Sequence, residues 1–178
     1  VSSGTGVLIN QQQVLTADHV TSMAPKDSKV WIQLDLGGQL IEAKVKVTDP
    51  ARDLAVLELV APVDRPAVDF ACDPVLQPGD ELYVIGMGLN YPWMPKFGHF
   101  ADWNVVILKD QIYPEALAKF FQYQMTAFIY GVVGDSGSGV FTKDDNKYVG
   151  LFNATNYKQE GGFYLNISYA IESSEICK

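Results

Sequence analysis

Thr126-Ala127-Phe128-Ile129-Tyr130, then Gly134-Asp135-Ser136-Gly137, then Gly139-Val140-Phe141: two short apolar runs flank a turn made of glycine, an acid and a serine. Apolar runs of this length next to glycine read as strands. Glycine on each side of Asp135-Ser136 lets the backbone take tight or left-handed conformations, which puts the Ser136 hydroxyl at the surface. The same turn can aim the N–H groups of Gly134 and Ser136 at one point, where an oxyanion could sit. Taken alone, the tetrapeptide is equally an ordinary polar turn, so the rest of the chain must supply a reason to read it chemically.

A serine hydroxyl attacks poorly unless a base removes its proton, and histidine is the usual base near neutral pH. The chain has two histidines. His19 follows an apolar strand candidate in Val14-Leu15-Thr16-Ala17-Asp18-His19-Val20, whereas His99 lies in the proline- and glycine-interrupted stretch Pro95–Phe100. A histidine base needs a carboxylate to fix its tautomer. The best candidate is Asp53, which opens the apolar run Asp53-Leu54-Ala55-Val56-Leu57. A turn serine, a core histidine and a strand-edge acid are each ordinary alone. Together, in the order His19, Asp53, Ser136, they require three coincidences.

These contexts carry a family resemblance. Leu15-Thr16-Ala17-Asp18-His19 is similar to the L-T-A-A-H of the trypsin-like (chymotrypsin-fold) serine peptidases, Asp53–Leu57 to their D-[IL]-A-[LV]-L, and Gly134–Gly137 is identical to their G-D-S-G. The resemblance runs from Ser3-Gly4-Thr5-Gly6 to Tyr169-Ala170-Ile171. The lack of a dense disulfide set makes the chain more similar to compact bacterial (including HtrA-type) and viral members than to animal digestive enzymes. The resemblance implies an all-β fold of two six-stranded antiparallel Greek-key barrels, with the active site in the cleft between them. The family's first strand has no counterpart before Gly4. Residues 1–62 would form the first barrel, 63–80 the crossover, 81–172 the second barrel and 173–178 the start of a terminal helix.

The residue patterns agree with many short strands. Gly4–Asn10, Gln13–Ala17, Lys29–Leu34, Leu40–Val47 and Asp53–Val60 read as strands of the first half, with Ile41, Ala43, Val45 and Val47 sharing one face. Glu81–Gly86, Trp103–Lys109, Tyr123–Ile129, Gly139–Thr142, Tyr148–Asn153 and Gly162–Ser168 read as strands of the second. Pro114–Phe121 is a helix candidate, with proline in its first turn and Glu115 and Lys119 at i,i+4. Gly88–Phe100 reads as a large loop whose aromatics either grip substrate or pack over the second barrel.

By resemblance, Ser136 is the nucleophile, His19 the general base and Asp53 its orienting acid, with an oxyanion hole made by the N–H groups of Gly134 and Ser136. The product is a serine endopeptidase acting through an acyl-enzyme. The same resemblance places the base of the primary pocket at Tyr130, with Val133 nearby, and substrate-binding positions at Asn153, Ala154, Thr155 and Gly162. With no acid at Tyr130 and no histidine in Leu151–Thr155, cleavage after a neutral residue is expected. In activated trypsins the acid equivalent to Asp135 pairs with a new terminal amine; the residues before Gly4 do not match that arrangement. Asp18 replaces the family's small residue and either raises the His19 pKa or faces solvent.

The bulk properties narrow the field. A net charge of −8 argues against nucleic acid as the main partner, and no apolar stretch is long enough to span a membrane. Cys72 and Cys177 are too few for a disulfide scaffold or a four-cysteine metal site; they either pair, as a comparable bridge in some relatives implies, or stay as free thiols. No metal or cofactor is called for. A polypeptide is the expected partner, and a secreted or periplasmic location is expected ahead of a viral or intracellular one. Two rivals keep the fold: a silent peptide-binding domain, and a viral polyprotein-processing protease of the same chemistry. An α/β-hydrolase is set aside, because Gly134–Ser138 lacks the final glycine of G-x-S-x-G and His19 comes first. Asn153-Ala154-Thr155 and Asn166-Ile167-Ser168 match the glycosylation pattern within predicted strands, where chance matches are expected.

Overall fold

The computed structural model describes residues 3–22, 29–103, 124–160 and 163–178. The first half contains Val7–Asn10 (β1), Gln13–Ala17 (β2), a short helix Asp18–Ser22 (α1), Val30–Gln33 (β3), Leu40–Asp49 (β4) and Leu54–Leu59 (β5). Its strands pair antiparallel in the order β1-β2-β5-β4-β3. The second half contains Glu81–Gly86 (β6), Met94–Asp102 (β7), Gln124–Ile129 (β8), Gly139–Thr142 (β9), Tyr148–Glu160 (β10) and Phe163–Glu172 (β11), followed by the helix Ser173–Ile176 (α2). Those strands close into a barrel, in the order β10-β11-β8-β7-β6-β9. The all-β, two-part architecture is the expected one, with five strands in the first sheet among the described residues.

Alternating burial explains why these segments are strands. Along β5, Ala55, Leu57 and Leu59 point inward; along β6, Leu82 and Val84 do. The barrel core is built from Leu82, Val84, Phe100, Met125, Ile129, Val140, Val149 and Phe152. A second apolar cluster joins Val7, Leu15 and Ala17 of the first sheet to Tyr148, Leu151 and Ile171 of the barrel. This seam fixes the two halves against each other. The crossover is stitched to both sides of it: Val68 N donates to Leu8 O at 2.9 Å, and Tyr148 N donates to Asp69 O at 2.8 Å.

Several expectations need correction. Gly88–Phe100 is not a loop. After a 3-10 turn at Gly88–Asn90 the chain forms β7, which pairs with β6 from Glu81↔His99 to Gly86↔Met94. Gly98 is there because β8 passes close: a Cβ at this position would lie 2.1 Å from Phe128 O. Val45 and Val47 do not share a buried face with Ile41 and Ala43. A register shift between them in the pairing with β5 interrupts the alternation, leaving them 46% and 56% exposed. Trp103 sits in a bend and packs on Phe100, with ring centroids 4.7 Å apart. The remainder of the expected strand to Lys109, the helix candidate Pro114–Phe121, Tyr123 and Gly162 lie outside the described residues. Strand β10 extends past Asn153 to Glu160. Cys72 and Cys177 form a disulfide.

Gly98→Ala should destabilise the fold by about 1–3 kcal/mol through overpacking. Val47→Thr, on the exposed side of the shifted register, should change stability by less than about 0.5 kcal/mol. Urea denaturation of the two variants checks both.

Candidate active site

The register of β2 and β5 brings His19 to Asp53. Ala17 and Leu54 are paired, so the residue before β5 and the residue after the first of α1 meet at one end of the sheet. The His19 main-chain N–H donates to Asp53 Oδ1 at 2.8 Å, and His19 Nδ1 lies 2.7 Å from Asp53 Oδ2. The backbone closes the same corner, with Asp18 N donating to Asp53 O at 3.0 Å. Asp53 itself adopts a left-handed φ of 56°, a conformation that aspartate tolerates better than most residues. Asp49 shapes the turn before it by accepting N–H bonds from Ala51 and Arg52 on Oδ1. Helix α1, which carries His19, was not legible in the sequence.

A carboxylate can only accept, so Nδ1 carries the proton and neutral His19 keeps its lone pair on Nε2. Among the described residues Nε2 has no hydrogen-bond partner. The hydrogen bond to Asp53 raises the His19 pKa above its ordinary 6.5, partial burial opposes this, and the charges of Asp53 and Asp18 add to it. The Asp18 charge is the smallest of these contributions. Asp18 is in turn raised, by burial first and by the Asp53 charge second.

Ser136 sits in a turn fastened on every side. Thr5 N donates to Ser136 O at 2.9 Å, Gly137 N to Phe152 O at 2.7 Å, and Ser138 N to Asp135 O at 2.9 Å. The Thr5 hydroxyl donates to Gly134 O at 2.9 Å and accepts from Met87 N at 3.0 Å, while the Thr16 hydroxyl donates to Thr5 O at 2.6 Å. Gly4 lies between the two parts of the site: a Cβ there would be 2.5 Å from Val20 of α1 and 3.3 Å from Ser136 O. Gly134 and Gly137 have φ of +100° and +88°, which glycine alone adopts easily. The Ser136 hydroxyl donates to Asn153 O at 3.4 Å.

The turn Val132–Asp135 is closed by Asp135 N donating to Val132 O at 3.1 Å, with Gly134 at its left-handed third position, as a type II turn requires. Leu89 N donates to Val133 O at 2.8 Å. In a trans peptide the N–H points opposite to the C=O, so Gly134 N–H faces away from Leu89. Among the described residues neither Gly134 N–H nor Ser136 N–H has an acceptor. Two unpaired donors thus flank the serine hydroxyl.

Asp135 is fully buried and pairs with Lys96 of β7, Nζ to Oδ1 at 2.5 Å, while its Oδ2 accepts Val132 N–H at 2.8 Å. No partner for this acid was legible in the sequence. The signal was parity: Lys96 shares the inward face of β7 with Gly98 and Phe100.

Of the expected substrate positions, Tyr130 is 61% exposed and Val133 83% exposed. Gly131 instead touches Thr155 and Phe152: a Cβ there would be 2.2 Å from Thr155 Oγ1 and 2.3 Å from Phe152 Cζ. Thr155 and Ser168 share a hydrogen bond of 3.1 Å across β10 and β11. Asn153 is buried, and its side-chain amide has no partner among the described residues. Ala154 is half-buried beside it.

The sequence model of the trypsin-like peptidase domain matches residues 4–151. The chain belongs to the trypsin-like peptidase family. No curated protein is significantly similar in sequence. Among solved structures, the peptidase domain is similar to a serine endoprotease from Yersinia pestis, with a TM-score of 0.75 and 18% identity, over 98% of this chain and 54% of that one. It is also similar to Rv3671c from M. tuberculosis, solved as an inactive serine-to-alanine mutant, with a TM-score of 0.72 and 18% identity, over 98% of this chain and 78% of that one. The peptidase domain thus spans about half the length of the first and about three quarters of the second. At such identities the likeness is one of fold.

A raised histidine pKa stabilises the fold while the pH is below the unfolded value, and that contribution is lost as pH rises through the folded value. Asp18→Asn removes one raising charge. An NMR titration of the His19 ring should find a midpoint above 6.5 in the parent. In Asp18→Asn the midpoint should be lower.

Proposed function

We propose that the domain is a serine endopeptidase working through Ser136, His19 and Asp53. The observation that carries this is the His19–Asp53 pair, held by two hydrogen bonds at the seam beside Ser136. It leaves His19 Nε2 basic and, among the described residues, unpaired.

In the resting arrangement the Ser136 hydroxyl leans on Asn153 O. Ser136 Oγ makes no hydrogen bond to His19 in this arrangement; in the proposed reaction it turns to His19 Nε2 when substrate binds, since catalytic hydrogen bonds commonly tighten only then. Oγ attacks the peptide carbonyl carbon as its proton passes to Nε2. The carbonyl oxygen becomes an alkoxide held by the N–H groups of Gly134 and Ser136. Collapse of the adduct expels the amine, which takes the proton from His19, and leaves an ester on Ser136. Water then repeats the sequence with His19 as base, releasing the acid. Asp53 holds the imidazole orientation and stabilises the imidazolium without being protonated. Each oxyanion donor contributes about 3–4 kcal/mol in a comparable site.

The contact of Gly131 with Thr155 and Phe152 supports cleavage after a small neutral side chain, because little width remains between those walls. The Cys72–Cys177 bridge supports an oxidising location outside the cytoplasm.

A fluorophosphonate probe should label the parent and leave Ser136→Ala unlabelled. Asp53→Asn should reduce kcat about 10⁴-fold with the fold intact, since the wrong tautomer is then held. A folded parent that takes no label would move the reading to the silent peptide-binding domain.

A further inference from the structure

Lys96 is out of place for a barrel strand. It points inward, its residue is 8% exposed, and Asp135 beside it is fully buried. Taking two charges out of water costs several kcal/mol per ion, and apolar replacements of such pairs are often as stable or more so. Stability therefore does not account for the pair; its position does. Asp135 divides its carboxylate between Lys96 Nζ, through Oδ1 at 2.5 Å, and Val132 N–H, through Oδ2 at 2.8 Å. The second of these bonds ties down the first residue of the turn whose third residue is Gly134. The central peptide of that turn is held from outside by Leu89 N, at 2.8 Å from Val133 O.

Both fastenings come from one hairpin. Leu89 lies in the connection between β6 and β7, and Lys96 lies on β7. The connection is itself built for this approach. Leu89 and Asn90 take left-handed φ of 53° and 64°, which strains non-glycine residues. Glycines fill the space where side chains would collide: a Cβ on Gly88 would lie 2.6 Å from Lys96 Nζ, and one on Gly86 2.6 Å from Asp135 Oδ1. Strained backbone and excluded side chains converge on the ion pair, and the pair converges on the turn that aims Gly134 N–H.

We infer that Lys96 is a positioning residue for catalysis: its ammonium fixes the Asp135 carboxylate, which holds the Val132–Asp135 turn so that Gly134 N–H faces the reacting carbonyl oxygen. An internal lysine then sets the oxyanion hole, so competence does not wait for a free terminal amine to reach Asp135. The inference rests on the serine peptidase reading above.

The test uses Lys96→Ala, whose removed atoms correspond to n-propylammonium. Ser136 acylation by a fluorophosphonate and kcat for a peptide ester should both fall about 10²–10³-fold, the loss expected for one oxyanion donor. KM should change by no more than about threefold, because a missing transition-state contact leaves ground-state binding intact. Added n-propylammonium should restore the rate, and n-propanol should not. Lys96→Arg should retain more activity than Lys96→Ala. Acylation of Lys96→Ala at the parent rate, or rescue by the alcohol as readily as by the amine, would overturn the inference while leaving the peptidase reading in place. If Lys96→Ala does not fold, the double variant Lys96→Met, Asp135→Asn, which buries no charge, carries the test. It should fold and acylate slowly, and full-rate acylation would reduce the pair to a structural tie. A folded parent that does not acylate at all would overturn both readings.

Discussion

A candidate site divided between two sheets keeps its geometry only if the seam between them is stiff. Here His19 and Asp53 stand on the first sheet and Ser136 on the barrel, and their relation depends on the residues that join the halves. Apolar packing supplies most of the hold, with Val7, Leu15 and Ala17 against Tyr148, Leu151 and Ile171. Packing alone does not set direction. Thr5 does: its N–H, hydroxyl and carbonyl bond respectively to Ser136 O, to Gly134 O and Met87 N, and to the Thr16 hydroxyl. One residue therefore connects strand β2, the β6–β7 connection and the serine turn. A shift of either half by a fraction of an ångström would break several bonds at once, which makes the seam behave as one unit.

Electrostatics divides along the same line. On the first sheet a partly exposed histidine faces a buried acid, so the ring can gain and lose a proton near neutral pH. In the barrel a buried lysine faces a buried acid. The two carboxylates thus have different work. In the proposed reaction Asp53 orients a group that moves charge, and Asp135 orients the backbone that receives it.

Much of this was legible in the chain. Ser136, His19 and Asp53 lie in short local contexts whose turn chemistry and strand edges can be read without knowing the fold. The Gly134–Gly137 turn was legible for the same reason, since its two glycines mark it. Lys96 was not, because its partner is 39 residues away and the intervening proline, glycine and aromatic residues look like a loop. Gly98 reads as a breaker until β8 is seen to cross it. Val45 and Val47 mislead because one register shift reverses what alternation implies. The thiols could not be paired from sequence either: only the path of the whole barrel brings Cys177 back to Cys72.

That bridge has a mechanical side. It spans a sequence separation of 105 residues and so closes a covalent ring around the entire second barrel, while Ser173 Oγ, within the ring, donates to the O of Ala71, the residue just before it, at 2.5 Å. Tension applied at Lys178 passes through sulfur to the crossover beside the seam. Strand β11, although the last strand of the chain, is shielded from being peeled off its neighbours one hydrogen bond at a time.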